Sequence, residues 1–428
     1  MEPDKEKIPK GYKLTEVGVI PEDWEVKELS FLFDITSSRR VLQSEWRSSG
    51  VPFFRARELA VLSEKGYVNN DLFISEEMYL RYASKYGVPN SDDILITGVG
   101  TLGKVYVVMQ NEKFYFKDGN IIWLKNKGYA KSLFIKQLYK TPLLINQISN
   151  ASVGTTVGTY TIINAKKTII PFPPIQEQTA IAEVLSDVDS LIDTLDKLIA
   201  KKKAIKQGAM QELLTGKRRL SGFSGRWEVK RLGEIGEITG SGVDKKIHSE
   251  ETPVRLVNYL DVYHENFIYS KTLSHWVTAR EDQIHRCSVK KGDVFFTPSS
   301  EMPFDIGISA VAMEDISDAV YSYHVTRLRM RDNWDITFRA YAFKTESFYK
   351  QAETYCEGSG KRYVLNLTTF REKLTVYYPV DIKEQTAIAT ILSDMDAEIE
   401  ALEKKLSKYK MLKQGMMQVL LTGKVRLI

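Results

Sequence analysis

The sequence predicts a mixed α/β (α+β) chain made from one unit used twice: two α/β heads separated by two long antiparallel coiled-coil helices, in a pseudo-two-fold repeat. Three observations carry this. A charged, apolar-striped segment occurs twice at a constant offset of 207 residues, from Glu177 to Glu384. Each copy follows a region of short strand-like and helix-like runs. Those preceding regions differ far more than the segments that follow them.

The repeat is ungapped. Glu177-Gln-Thr-Ala-Ile-Ala182 returns as Glu384-Gln-Thr-Ala-Ile-Ala389, Lys206-Gln-Gly208 as Lys413-Gln-Gly415, and Leu213-Leu-Thr-Gly-Lys217 as Leu420-Leu-Thr-Gly-Lys424. Roughly 27 identities over about 45 aligned positions far exceed chance. Trp24-Glu-Val-Lys27 also matches Trp227-Glu-Val-Lys230, and Asp93-Ile-Leu-Ile-Thr97 resembles Asp293-Val-Phe-Phe-Thr297. The order is head, helix, head, helix.

Glu177 to Leu214 reads as one helix. Pro171, Pro173 and Pro174 precede it, Gly216 follows it, and neither type suits a helix interior. Ile181, Leu185, Val188, Ile192, Leu195 and Ile199 step by four and three, and Ile388, Leu392, Met395, Ile399, Leu402 and Leu406 do the same, with Tyr409 beyond. A narrow seam among charged faces predicts helix pairing rather than two separate core helices. Such a helix spans on the order of 57 Å. Gly208 and Gly415 weaken both seams at one place and suggest a kink or a close contact there.

In the heads, strands are expected over 93–97, 104–109 and 120–124, and over 293–297, 306–312 and 324–330. Helices are expected over 75–85 and 133–144. Apolar strands over 168–172 and 374–378 lead into the long helices.

Charges interrupt every candidate membrane span, and the charged start Met1–Lys10 has no signal-peptide core, which gives the expectation of a cytoplasmic chain with no membrane role. Two cysteines, Cys287 and Cys356, make no disulfide framework, and the five histidines form no ligand pair, so no metal is expected. A net charge of +5 permits a polyanionic partner without demanding one.

Several motifs suggest enzymes and fail. Gly98-Val-Gly-Thr-Leu-Gly103 has dinucleotide-site spacing but runs into the strand pattern Lys104-Val-Tyr-Val-Val108, not a helix, so it reads as a hairpin loop. Glu25-Val-Lys27 and Glu228-Val-Lys230 imitate a nuclease motif, but Asp23 lies too close to share a metal. Pro171-Phe-Pro-Pro174 has no Asp or Asn before its Pro-Pro, and no Walker sequence occurs. The chain is expected to have no catalytic residues and to bind no cofactor.

Base recognition needs Arg, Lys, Asn, Gln, Ser or Thr held on a stiff scaffold. The first head offers Arg39, Arg40, Arg55, Arg57, Thr97, Thr101 and Lys104. The second offers Arg255, Asn258, Thr297, Ser299, Lys361, Arg362 and Tyr363, with Lys245-Lys246 and Ser300 nearby. Gly358-Ser-Gly-Lys-Arg-Tyr363 suits following phosphates, and Gly154-Thr-Thr-Val-Gly-Thr159 stands at the corresponding place. Lys217, Arg218 and Arg219 read as a solvated helix end that complements the macrodipole. On residues alone, a protein-interaction scaffold without sequence-specific DNA binding stays open.

Ile20-Pro-Glu-Asp-Trp24, Pro173-Pro-Ile-Gln-Glu-Gln178 before the long helix, and the Leu-Leu-Thr-Gly-Lys endings together resemble the specificity subunit of type I restriction-modification systems. The resemblance covers essentially the whole chain; Tyr378-Pro-Val-Asp381 replaces the Pro-Pro step in the second copy. It implies a target-recognition domain over 1–173, a spacer helix over 174–216, a second target-recognition domain over 217–380 and a second spacer helix over 381–428. It also implies one half of a bipartite, asymmetric double-stranded DNA site per head, and docking of methyltransferase subunits, two by expectation, and through them restriction subunits. S-adenosylmethionine, ATP and Mg would belong to those partners.

Overall fold

The computed structural model describes residues 8–151, 158–360 and 362–428; positions 154–157 of the first glycine loop and Lys361 lie outside them. The chain forms two compact units, Met1–Leu195 with Lys405–Ile428, and Asp196–Lys404. Each long helix is continuous over 39 residues, Ile175–Leu213 and Ile382–Leu420, so each contributes one half to either unit.

The first unit holds a four-stranded antiparallel sheet in the order Phe33–Thr36, Ile121–Asn126, Ile94–Thr97, Val105–Val107. Ile121-Ile-Trp-Leu124 lies centrally as an unbroken buried run, as a strand covered on both faces should. A three-stranded sheet (Phe73–Ile74, Val51–Phe54, Tyr115–Phe116) packs an aromatic-rich second core. The strand entering the head, Glu25–Glu28, pairs antiparallel with the strand leaving it, Ile169–Phe172.

The second unit repeats the frame. Gly236–Gly240, Thr326–Met330, Val294–Phe296 and Ser309–Ala312 stand in the same order, with Phe267–Ile268 added at one edge. Trp227–Arg231 pairs with Thr375–Pro379 as the entering and leaving strands. A further four-stranded sheet (Trp276–Ala279, Thr252–Val257, Ile316–Tyr321, Ser288–Val289) and the three-stranded Ser299–Ser300, Arg362–Val364, Glu357–Ser359 distinguish this head.

Most expected elements are present. The helix over 133–144 is two helices, Ser132–Leu138 and Pro142–Ala151, because Pro142 has no N–H to give and starts a helix rather than continuing one. The strand over 306–312 begins only at Ser309, after a 3₁₀ turn at Pro303–Asp305 and Gly307 at φ +80°. Gly208 and Gly415 make no close contact: both lie open on unbroken helices.

Within each unit the helical halves run antiparallel. In the first, Glu177 binds Arg426 and Asp189 binds Lys413; in the second, Glu384 binds Arg219 and Asp396 binds Lys206. Ile181 and Leu185 sit in one core cluster with both the first head and Leu420 and Leu421 of the other helix. Ile388 and Leu392 do the same with the second head, Leu213 and Leu214. Leu195, Ile199 and Ile399 are buried, while Val188, Ile192, Met395, Leu402 and Leu406 are half-buried, as a two-helix seam leaves them.

Candidate nucleic-acid interface

The second head carries a hollow of about 520 Å³ beside its three-stranded sheet. Ser299 and Ser300 pair with Val364 and Tyr363, so Arg362 and both serines share one wall. The helix Tyr259–His264 forms another wall, its Tyr259 and Tyr263 rings stacked at 5.7 Å. Asn258 caps that helix by accepting from the Tyr259 amide at 2.8 Å. His324 completes the wall; burial and the nearby Lys245 and Arg362 charges push its pKa down, which favours the neutral ring. Hydroxyls, aromatic faces and the exposed Arg362 therefore share the hollow with the carboxylates Glu301 and Asp305, the latter accepting from Tyr263 Oη at 2.8 Å. Rings and hydroxyls are the chemistry that stacks on and pairs with bases, and Arg362 is the group that pairs with phosphate.

The first head has two adjoining hollows that share Ser37 and Ile162. Arg39 lies over the Tyr86 ring at 4.7 Å and Lys125 over Trp123 at 4.2 Å, both on the wall of one. The other is bounded by the turn at Gly98 and Val99 and by Thr159, which bridges to Val99. The Gly98–Gly103 segment is the expected hairpin turn, with Gly100 and Gly103 at positive φ.

The structure sorts the expected readers. Arg39, Ser299, Arg362 and, on a half-buried face, Tyr363 lie at or beside these hollows. Arg40 and Arg57 are exposed, Arg40 within 3.3 Å of Asp118. Thr101 is exposed, but its carbonyl accepts from Thr97. Lys361 is outside the described residues.

Others are committed inside the fold. Thr97 and Thr297 are 1% and 0% exposed, and their hydroxyls accept from the amides of Lys104 and Ile308 at 3.0 Å. The expectation that they read bases is corrected: they tie off equivalent hairpins. Arg55 is fixed on Glu58 by two bonds of 2.9 and 2.6 Å. Arg255 is held by Ser270 and Asp318. Lys104 pairs with Glu64 in a separate hollow with Lys136 and Lys140. Ser37, Ser38, Lys125, Tyr259, Tyr263 and His324 line the recesses without having stood out in the sequence.

Arg219 is also corrected. It binds Glu384, 1% exposed, at 2.7 and 2.8 Å and lies over the Trp227 ring. Arg426 binds the equally buried Glu177 at 2.6 and 2.8 Å, reaches Asp23 at 2.8 Å and lies over Trp24. The Leu-Leu-Thr-Gly-Lys ending therefore turns each helix back onto the head that packs against it. Gly423 and Gly216 make the turn at φ +69° and +67°.

Among the described residues no group of His, Cys, Asp and Glu is arranged to hold a metal ion, and no helix is long and apolar enough to cross a membrane. The family model for the type I restriction modification DNA specificity domain matches twice, at residues 21–207 and 225–409. The chain belongs to this family. It is 26% identical to a protein of Methanocaldococcus jannaschii assigned as the type I restriction enzyme MjaX specificity subunit, over 97% of both chains. It is 24% identical to the MjaVIII specificity subunit of the same organism over 95% of this chain and 94% of that one. The crystal structure of a type I specificity subunit from M. genitalium shares the fold at TM-score 0.57 and 17% identity, covering 95% of this chain and 97% of that one. Membership accounts for the double match: each specificity domain comprises one head and most of the long helix that follows it.

Proposed function

We propose that this chain is the DNA-reading subunit of a type I restriction-modification complex, each head selecting one half of a bipartite, asymmetric double-stranded site. The observation that carries it is one sheet frame used twice, with recesses of different chemistry set on it. A shared frame with unlike readers suits two unlike half-sites. The exposed cations supply phosphate attraction, and hydroxyls and rings supply discrimination. The long helices offer a surface for methyltransferase subunits, which would carry S-adenosylmethionine and take up the target adenine once it leaves the stack. Restriction subunits using ATP and Mg would join through them, and this chain would catalyse nothing itself.

The test is selection from a randomised duplex library by the chain assembled with its methyltransferase partner. Recovery of two short motifs at fixed spacing is expected. Recovery of no motif overturns the reading and favours a protein-only scaffold.

A further inference from the structure

Two carboxylates on the long helices, one per unit, each join three separate elements. Asp189, on the first long helix, accepts from Gln137 Nε2 at 3.0 Å and Lys140 Nζ at 3.3 Å, both from the first head, and from Lys413 of the second long helix. Asp396, on the second long helix, accepts from Tyr341 Oη at 2.7 Å and Asn266 Nδ2 at 3.2 Å, both from the second head, and from Lys206 of the first long helix. Lys344, beside Tyr341, donates to Asn266 and completes the second cluster.

The two clusters are copies. Asp189 and Asp396 share the repeat offset, as do Lys413 and Lys206. Gln137 and Tyr341 occupy matching places on Ser132–Leu138 and Ile336–Ala342, followed by Lys140 and Lys344. The two heads differ widely in sequence, yet each sends a hydrogen-bond donor to the equivalent helical carboxylate. The donors differ in kind, an amide in one and a phenol in the other, so the geometry is kept while the residue is not.

Apolar contact between a head and a helix tolerates sliding and rotation, because it is non-directional. Charge-assisted bonds do not. We infer that Asp189 and Asp396 are positioning residues: each fixes the angle at which its head sits on the helix pair, and thereby the aim of that head's recess at its half-site. This rests on the DNA-reading function proposed above. A misplacement of about 1 Å at a reacting or reading group costs on the order of a hundredfold in rate, so loss of a directional lock registers in selectivity before it registers in folding.

The experiment uses the full chain assembled with its methyltransferase partner. Methylation rates are compared on the selected duplex and on duplexes with one base pair changed in either half. The half-site read by the second head is identified as the one whose selection falls with Arg362→Ala. Gln137→Leu and Asp189→Asn are expected to reduce discrimination at the first head's half-site about tenfold or more, leaving the other half unchanged. Tyr341→Phe and Asp396→Asn are expected to do the reverse. Tyr341→Phe removes one hydroxyl from the second cluster, so folding, checked by melting, is retained even if a carboxylate variant fails. Unchanged discrimination in folded variants, or an equal fall at both halves, overturns the inference. Failure of the unsubstituted complex to select any site overturns the DNA-reading function and the inference with it.

Discussion

Arg362 stands exposed on the wall of the second head's recess while Thr297, deep in the same head, is sealed, and the two should answer mutation oppositely. Arg362→Ala is expected to weaken site binding by about 1–3 kcal/mol and relax selection within a single half-site, read by competition between duplexes. Thr97→Val and Thr297→Val each leave a hairpin amide without its acceptor, at a cost of about 1–3 kcal/mol in stability, with selection unchanged. A shift in selection without loss of stability would refute the burial argument. Lys344 supplies a pH test. Burial, with Lys206 nearby, pushes its pKa from 10.5 down to about 8, against the pull of Asp396. Between those values the unfolded chain binds more protons than the folded one, so this group makes stability rise with pH across the window. Denaturant unfolding over that range should show the rise, and Lys344→Met should reduce it, leaving the part due to Lys140, which burial likewise pushes down to about 8.

At the scale of elements, two identical glycine turns have different surroundings. A Cβ at Gly216 would meet Trp227 and Tyr377 at an ordinary 3.5 Å, whereas at Gly423 it would meet Pro21 Cδ at 2.4 Å. Gly216→Ala should cost about 1 kcal/mol for its left-handed backbone, and Gly423→Ala clearly more; equal melting shifts would contradict this. Arg219→Ala removes the cation from buried Glu384, and Arg426→Ala leaves buried Glu177 with the Trp24 indole at 2.9 Å but no cation. Each should cost on the order of 3 kcal/mol, seen as lower unfolding midpoints. The long helices and the strands around Asp93 and Asp293 were legible because periodicity and apolar runs are local signals. The break at Pro142 was legible too and was missed. The role of Arg219 was not, because its partner Glu384 lies 165 residues away. Nor were Tyr259, Tyr263 and His324 as recess walls. Which side chains surround a hollow is decided by strand order and by crossovers such as the parallel pairing of Thr252–Val257 with Ile316–Tyr321.

At the scale of the whole molecule, neither compact unit coincides with one family-domain copy. The first is completed by Lys405–Ile428, which brings Leu420, Leu421 and Arg426 to a core containing Trp24 and Leu29. Deleting those residues should loosen the first head and spare the second. Each of the two leucines contributes about 1.5–3 kcal/mol by burial. Hydrogen exchange should show lost protection around Trp24 and Ile170 with Phe296 and Leu328 unaffected; the opposite pattern would refute the partition.

The bond from Tyr12 Oη to the Gly423 carbonyl spans 411 residues. During translation, the second unit, contiguous from Asp196 to Lys404, has all its residues before Lys405–Ile428, which the first unit needs, are made. The head made first is therefore the head finished last. Until residues 405–428 are made, Glu177 lacks Arg426 and the core around Trp24 lacks Leu420 and Leu421, so that interval leaves the first head open to misassembly.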